Sequence, residues 1–351
     1  MIVFILRRLG VMLLTALCMT FVVFLLTNLP PNLEKLAKTQ AGSRITDAEV
    51  QSWLQKNGYA APIVTRYGEW LGLLPAHVSK DAEGNPVGGR CLRGRSSASP
   101  EEIPRYCGVL QGQWGFSTTF RADVAEIIGE RLERTGILMF WAFVTMVPLA
   151  LIIGVLAGMR EGSPLDRSLS TFSIASTSTP EYVSGVIFVV VFASSMVGLK
   201  WFNGSAKSAV DGITFTNFTL PVATIALYGM GYIARMTRAS MAEVMTAQYI
   251  RTARLKGVKF RTIVLRHALR NALIAPFTVI MLQFPWLLTG VVIVEALFVY
   301  PGFGDALVQG AQNNDIDLLL AVSVVAVVVV LVTQLISDIG YAFLNPRIRV
   351  S

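Results

Sequence analysis

The chain has 351 residues and a net charge of +8; 53% of its residues are apolar and only 15% are charged, against roughly 25% charged in soluble domains. This balance excludes a disordered chain, a small disulfide-stapled protein and an ordinary soluble enzyme. A membrane protein with several spans remains, because a helix needs about 20 apolar residues to cross a bilayer.

Six stretches without Asp, Glu, Lys or Arg follow one another along the chain, each 18 to 25 residues long. At a rise of about 1.5 Å per residue, each can cross a hydrocarbon core of about 30 Å. They predict an all-α polytopic membrane protein with six transmembrane helices. The stretches are Leu9–Leu29, Thr135–Met159, Tyr182–Leu199, Gly212–Ala234, Asn271–Val294 and Leu318–Ser337.

The first stretch follows Arg7 and Arg8, which is also how a signal peptide begins. Its 21 uncharged residues exceed the apolar region of a signal peptide, which has about 7–15 residues. We therefore expect residues 1–29 to contain a retained first helix.

Residues 30–134 form a polar insert between the first two spans, rich in Gly, Pro and Ser at Asp81–Pro104. We expect surface loops with a small mixed subdomain, including a helix at Thr46–Asn57 capped by Thr46 with Glu49 three residues on. In an oxidising compartment Cys91 and Cys107 could form a structural disulfide; the alternative is two free thiols. The spacing of His77 from these cysteines gives no convincing metal site.

Basic residues collect in segments that would share one side of the membrane. With the N-terminus in the cytoplasm, the short inner segments hold 15 Lys and Arg, whereas the short outer loops hold two, Lys200 and Lys207. The positive-inside rule then predicts that both termini are cytoplasmic. The loop 235–270 has nine basic residues and one acid, Glu243, so the positive charge of the chain lies there and does not indicate nucleic-acid binding.

The inner loop before the fifth span breaks into two helical pieces around Gly257. Glycine costs about 1 kcal/mol inside a helix, so a turn is expected at this residue. On both sides of Gly257, residues of the same character recur at helical spacing. One face of the first piece carries Tyr249, Ile250 and Ala253, with Arg251 and Arg254 opposite; the second piece repeats Phe260, Val264, Ala268 and Ala272.

Three interpretations of this loop compete: a solvated basic segment, a helix bound to anionic lipid, and a docking element for a cytosolic partner. Charge bias alone requires no helix–glycine–helix arrangement. We therefore favour docking.

The loop resembles the conserved cytoplasmic "EAA" loop of ABC-importer permeases, whose Glu-Ala-Ala-x-x-x-Gly core inserts into an ATPase subunit. Here the core reads Arg251-Thr252-Ala253-x-x-x-Gly257, without the Glu and the first Ala, and the later Ile-x-Leu-Pro is replaced by residues 267–270, His-Ala-Leu-Arg. "YIRTARLKG" followed by "LRHALRNAL" is similar to the dipeptide, oligopeptide and nickel branch, as are "ILRRLG", "MREGSPLDR", "ARMTRASMAEVM", "VEALFVYPGFG" and "NPRIR". The resemblance covers the first helix and about residues 110–349; it leaves residues 79–106 unaccounted for.

The resemblance implies a subunit of the bacterial inner membrane that pairs with a second, similar permease chain. Two cytosolic ATPases would bind ATP and Mg, and an extracytoplasmic solute-binding protein would deliver the cargo. Residues 135–345 would form a five-helix permease core that contains a docking loop at 239–270, and residues 346–351 would form a cytoplasmic tail. The residues implied in ATPase docking are Tyr249, Ile250, Arg251, Thr252, Ala253, Arg254, Lys256 and Gly257.

The sequence has no motif for catalysis or phosphate binding, so we expect a transport subunit without a cofactor of its own. Glu295 is a candidate for a translocation path, because ionisable groups at membrane depth are often functional; an interfacial or salt-bridged structural role is the alternative. Gln283, Trp286 and Met230 could line a cavity, with a packing role as the alternative.

A self-sufficient channel or secondary transporter is the competing function, and an intramembrane hydrolase is a third. Ion-coupled carriers usually place acids near mid-membrane, and the six stretches contain none. The branch carries peptides, nickel, glutathione or oligosaccharides. We favour peptides because they are its commonest cargo.

Overall fold

A computed structural model describes residues 2–42, 44–80, 86–89, 91, 104–195 and 199–344, which are mostly helical. The helices, in chain order, are α1 (Ile2–Thr27), α2 (Pro30–Ala41), α3 (Asp47–Lys56), α4 (Ile63–Leu71), α5 (Val124–Gly158), α6 (Pro164–Ser178), α7 (Glu181–Phe192), α8 (Phe215–Met245), α9 (Gln248–Leu255), α10 (Phe260–Thr262), α11 (Leu269–Ala272), α12 (Ile274–Leu297), α13 (Phe303–Gln312) and α14 (Ile316–Leu344). A π-helical segment, Ile263–Ala268, makes α10 and α11 one continuous stretch. Two antiparallel pairs are formed by β1 (Val78–Lys80) with β2 (Pro86–Gly89) and by β3 (Phe116–Ser117) with β4 (Ala122–Asp123).

In the part of the chain that the structure describes, three helices are individually long and apolar enough to cross a bilayer: α1, α5 and α14. Two bent pairs, α6 with α7 and the stretch Phe260–Ala272 with α12, raise the candidate spans among the described residues to as many as five. Although α8 has 31 residues, Asn, Thr, Gly and Tyr dilute its apolar side chains. The prediction of an all-α polytopic membrane protein is confirmed, but the described residues do not contain six uninterrupted apolar spans.

The predicted third span, Tyr182–Leu199, is wrong as a single helix. α7 has 12 residues and ends at Phe192, so it extends only about 18 Å at 1.5 Å per residue. It meets α6 at a bend of 105° next to Pro180. Proline has no N–H and disfavours helical backbone in the residue before it, so a helix ends there. The predicted stretch begins after this proline, so the error lies at its other end. Ala193, Ser194 and Ser195 carry no charge and are not helical, so a search for uncharged residues could not find the end of the helix at Phe192.

The insert belongs to a compact unit made of Leu9–Glu133 and Ala306–Val328. Its core holds residues of α1, α2, α3, α4 and α14, with Trp70 and Ala37 among the most buried. The predicted helix at Thr46–Asn57 is confirmed as α3. Thr46 N donates to Glu49 Oε2 (2.7 Å), and Glu49 N donates to Thr46 Oγ1 (3.4 Å).

The other unit comprises Met1–Arg8, Arg134–Asp305 and Val329–Ser351. Within it, α8 packs against α6, α7 and α12. α5 approaches α8 through Gly154 and Gly158, four residues apart: a Cβ atom would lie 2.6 Å from the Ala234 carbonyl oxygen at the first and 2.7 Å from that of Arg238 at the second. Small residues at this spacing let two membrane helices pack backbone against backbone.

Candidate functional site

The basic inner loop folds as a short helix, a glycine turn and a second helical stretch. α9 begins after Ala247 and ends at Leu255. Gly257 has φ +71, and its N–H donates to the Arg254 carbonyl (3.0 Å). This left-handed conformation suits glycine, because a Cβ atom would strain it. The predicted turn is therefore present at Gly257, and the second stretch follows from Phe260.

A single buried side chain anchors α9. Ile250 is 0% exposed and belongs to an apolar cluster with Met241, Met245, Ile263 and Val264. The cluster thus joins the end of α8 to both helical pieces of the loop. Because eight residues are too few to form a stable helix on their own, α9 owes its position to this packing.

The outward face of α9 combines basic and apolar side chains. We define the α9 surface by Tyr249, Arg251, Thr252, Arg254, Leu255, Lys256 and Gly257, all of which are exposed. Leu255 is 81% exposed, although burying a leucine is worth about 1.5–3 kcal/mol. Our sequence reading omitted Leu255. The available signal was an apolar residue at the last position of an otherwise basic helix.

The predicted grouping of Tyr249 with Ile250 and Ala253 on one face is partly wrong. Tyr249 is 45% exposed, and its hydroxyl accepts a hydrogen bond from Asn271 Nδ2 (3.1 Å). Adjacent helical residues point about 100° apart, so Tyr249 lies beside the buried face. Ala253, three residues after Ile250, is half-buried against the apolar cluster. Of the three, Ile250 and Ala253 face inward, and Tyr249 faces outward.

Glu295 is enclosed by the loop that follows α12. Its carboxylate accepts hydrogen bonds from the Thr135 hydroxyl, from Gly304 N (2.7 Å) and from Asp305 N (3.1 Å). The two backbone donors lie in the first turn of α13, where N–H groups lack partners within the helix and attract negative charge. Glu295 is 0% exposed within this chain, and its place in a translocation path remains a prediction.

Tyr300 closes the same loop. Its hydroxyl donates to the Arg134 carbonyl (3.0 Å), and an Arg134 guanidinium nitrogen donates to the Pro301 carbonyl (3.3 Å). Burial, with the nearby Glu295 carboxylate, raises the pKa of Tyr300 to about 12. The phenol is therefore protonated and able to donate at neutral pH.

The other translocation candidates lie on α8 and α12. Met230 is buried in the apolar core of the unit that contains α8 and α12, and Gln283 is also buried. Trp286 is half-buried and stacks on Tyr228, with ring centroids 4.9 Å apart. Their place in a translocation path remains a prediction.

Cys91 and Cys107 form a disulfide with Cα atoms 5.8 Å apart, and both side chains are buried. Cys18 is a free, exposed cysteine of α1. The ring Nε2 of His77 lies 3.3 Å from the Lys56 carbonyl oxygen. No group of three metal-type ligands occurs within the part of the chain that the structure describes.

Residues 150–350, more than half of the chain, match the family described as binding-protein-dependent transport system inner membrane component. This range includes both helical pieces of the basic loop and the Glu295 loop.

Individual relatives extend the similarity. A probable peptide ABC transporter permease protein of Sinorhizobium fredii is 33% identical over 69% of this chain and 77% of its own length. The oligopeptide transport system permease protein AppB of Bacillus subtilis is 29% identical over 87% of both chains. The glutathione transport system permease protein GsiC of Escherichia coli strain K12 is 34% identical over 69% of this chain and 76% of its own length.

Proposed function

We propose a cargo and a coupling surface for this chain, which belongs to the family of binding-protein-dependent transport system inner membrane components. It is a permease subunit of an ABC importer and a multi-pass membrane protein. The proposed cargo is a peptide or a similar small solute. The relatives' names support this choice, since they refer to peptides, oligopeptides and glutathione.

The α9 surface is the proposed docking site for one of two cytosolic ATPase subunits, and the other would dock on a second, similar permease. The observation that carries this proposal is the exposure of Leu255 among Arg251, Arg254 and Lys256 on a helix anchored through Ile250. An exposed apolar side chain ringed by charge is typical of an interface centre with a polar rim. Movement of an ATPase against α9 would reach α8 through the apolar cluster around Ile250.

The remaining partners and the orientation belong to the same proposal. ATP and Mg would bind the ATPases, while this chain holds no cofactor of its own. An extracytoplasmic solute-binding protein would deliver the cargo on the side of the insert, and both chain termini would be cytoplasmic. The asymmetry of basic residues supports this orientation.

The docking proposal is tested by Leu255→Gln in the complete transporter, with Leu110→Gln in the insert as the matched control. Both leucines are highly exposed, at 81% and 66%, so neither change should unfold the chain. Because burying a leucine is worth about 1.5–3 kcal/mol, L255Q should weaken retention of the ATPases about 10- to 100-fold. Wild-type retention of the ATPases in L255Q, or equal losses in both variants, would contradict docking at the α9 surface.

The cargo is tested by measuring ATP hydrolysis of the whole transporter in nanodiscs with its binding protein. Di- to octapeptides, nickel chelates and oligosaccharides are added separately. Stimulation by peptides alone is the expected result. Stimulation only by a different class would replace the peptide proposal, and the docking proposal would be unaffected.

A further inference from the structure

A basic cleft lies between α6 and α8, away from the α9 surface. It has a volume of about 340 Å³, and its lining includes Arg167 and Ser170 of α6 and Arg235 of α8. Both arginines are exposed. No carboxylate of a described residue lies within 4.0 Å of either guanidinium group.

The acid in the cleft does not neutralise these two arginines. Asp166 accepts two hydrogen bonds from Arg238, at 2.9 and 2.8 Å, one from Gly162 N (2.8 Å) and one from the Ser170 hydroxyl (3.0 Å). Its carboxylate is thereby fully occupied. Glu161, the other nearby acid, lies 3.6 Å from Arg238. The cleft keeps a surplus of positive charge at Arg167 and Arg235.

Apolar side chains continue the same surface deeper along both helices. The helices run antiparallel, because Asp166 meets Arg238 while Gly231 lies against Ser173 and Ser176. Ile174 lies two turns from Arg167, and Tyr232 lies one turn from Arg235 in the same direction. Both are 51% exposed. The arginines are thus at one end, and the apolar side chains extend from them along the helices.

Charge at one end and apolar surface beyond it match the two parts of a phospholipid. Guanidinium groups bind phosphate through paired hydrogen bonds, and basic pockets between membrane helices bind anionic head groups. Tyr232, whose ring lies 5.7 Å from the Arg235 guanidinium carbon, has the mixed character of side chains at a membrane interface. We propose that this cleft is a binding site for an anionic phospholipid, with its phosphate between Arg167 and Arg235 and an acyl chain along Ile174 and Tyr232.

The test uses the assembled transporter in nanodiscs of phosphatidylcholine that contain a minority of spin-labelled phosphatidylglycerol. The labelled lipid held at the protein is measured by electron paramagnetic resonance. Each arginine near a membrane surface contributes about 1 kcal/mol to anionic-lipid binding. The variant with both Arg167→Gln and Arg235→Gln should therefore bind about 30-fold more weakly.

Two variants separate this site from general charge effects. Arg160→Gln removes an exposed arginine of the same inner segment that does not line the cleft, and it should bind like the wild type. Changing both arginines to Lys keeps the charge but removes the paired hydrogen bonds, so lipid binding should fall between that of the wild type and that of the double Gln variant. Recovery of the intact complex for every variant excludes unfolding as the cause of a loss.

Three results would overturn the proposal. The first is unchanged lipid binding in the double Gln variant, and the second is an equal loss in R160Q. The third is full displacement of the labelled lipid by inorganic phosphate, which would mean a site for free phosphate. A cleft covered by the second permease would give the first result, because the lipid would have no access to either arginine.

Discussion

Arg238 of α8 holds Asp166 of α6 through two hydrogen bonds, from Nε at 2.9 Å and from Nη2 at 2.8 Å. Asp166 is 3% exposed, and Ser163 caps the same helix by accepting from Asp166 N (3.2 Å). The Asp166 carboxylate also accepts a hydrogen bond from Gly162 N (2.8 Å), so it connects the start of α6 to α8. Since α8 leads directly into α9, Arg238 lies in the helix that connects α6 to the proposed docking surface.

Replacing Asp166 with Asn should destabilise the transporter by about 2 kcal/mol, because the buried carboxylate would lose its charge-assisted hydrogen bonds to the half-buried Arg238. Glu161→Gln is the control: this acid is exposed and 3.6 Å from Arg238, so its loss should cost less than about 1 kcal/mol. Unfolding of the detergent-purified complex, followed by intrinsic fluorescence, measures both. Equal stability of the two variants would show that the pair contributes little.

Gly257→Val should disrupt the turn after α9, because a β-branched residue is strained at φ +71. Gly257→Asn should be tolerated, since asparagine adopts left-handed backbone more readily. No atom of a described residue lies within 4 Å of the position that a Cβ would take at Gly257, so among these residues only the backbone conformation distinguishes the variants. We expect peptide-stimulated ATP hydrolysis to fall in G257V and to stay near wild type in G257N.

Two other outcomes would contradict this expectation. Loss of ATPase retention in both variants, with the chain still folded, would indicate that a partner packs directly on the glycine. Full activity of G257V would show that the turn conformation does not matter for coupling.

Glu295→Ala should lower stability by at least about 3 kcal/mol, because three hydrogen bonds to a buried carboxylate are lost and two belong to the first turn of α13. Glu133→Ala is the control. It removes an exposed acid two residues before Thr135 in α5 and should change stability by less than about 0.5 kcal/mol. Chemical unfolding of the purified chain gives both values.

Glu295→Gln distinguishes a structural role from contact with cargo. An amide keeps an acceptor for the α13 N–H groups but cannot accept from the Thr135 hydroxyl as well, so a moderate loss of stability is expected with transport retained. Unchanged stability together with abolished uptake of cationic peptides would instead place this carboxylate on the translocation path.

Maleimide labelling of the denatured protein should detect one thiol, Cys18, without reduction and three after reduction. Replacing both Cys91 and Cys107 with Ser should cost about 3 kcal/mol, the value for a closed loop of about 15 residues. Cys18→Ser is the control and should leave no thiol to label before reduction. Three reactive thiols in protein isolated without reductant would contradict the disulfide.

The amino-acid sequence by itself determined the class of protein and the place of the basic loop. Long uncharged stretches follow from the bilayer's exclusion of charge, and charge is read directly from residue identity. The capped helix at Thr46 and the turn at Gly257 were also predictable, because each depends on neighbouring residues and the local backbone.

Tertiary structure alone decided which side chains face inward and what they contact. The enclosure of Glu295 depends on Thr135, 160 residues away, and the Asp166–Arg238 pair spans 72 residues. Leu255 is exposed because α9 is held through Ile250 by residues from other helices. Such contacts join segments that are distant along the chain, and neither helical periodicity nor charge counting specifies them.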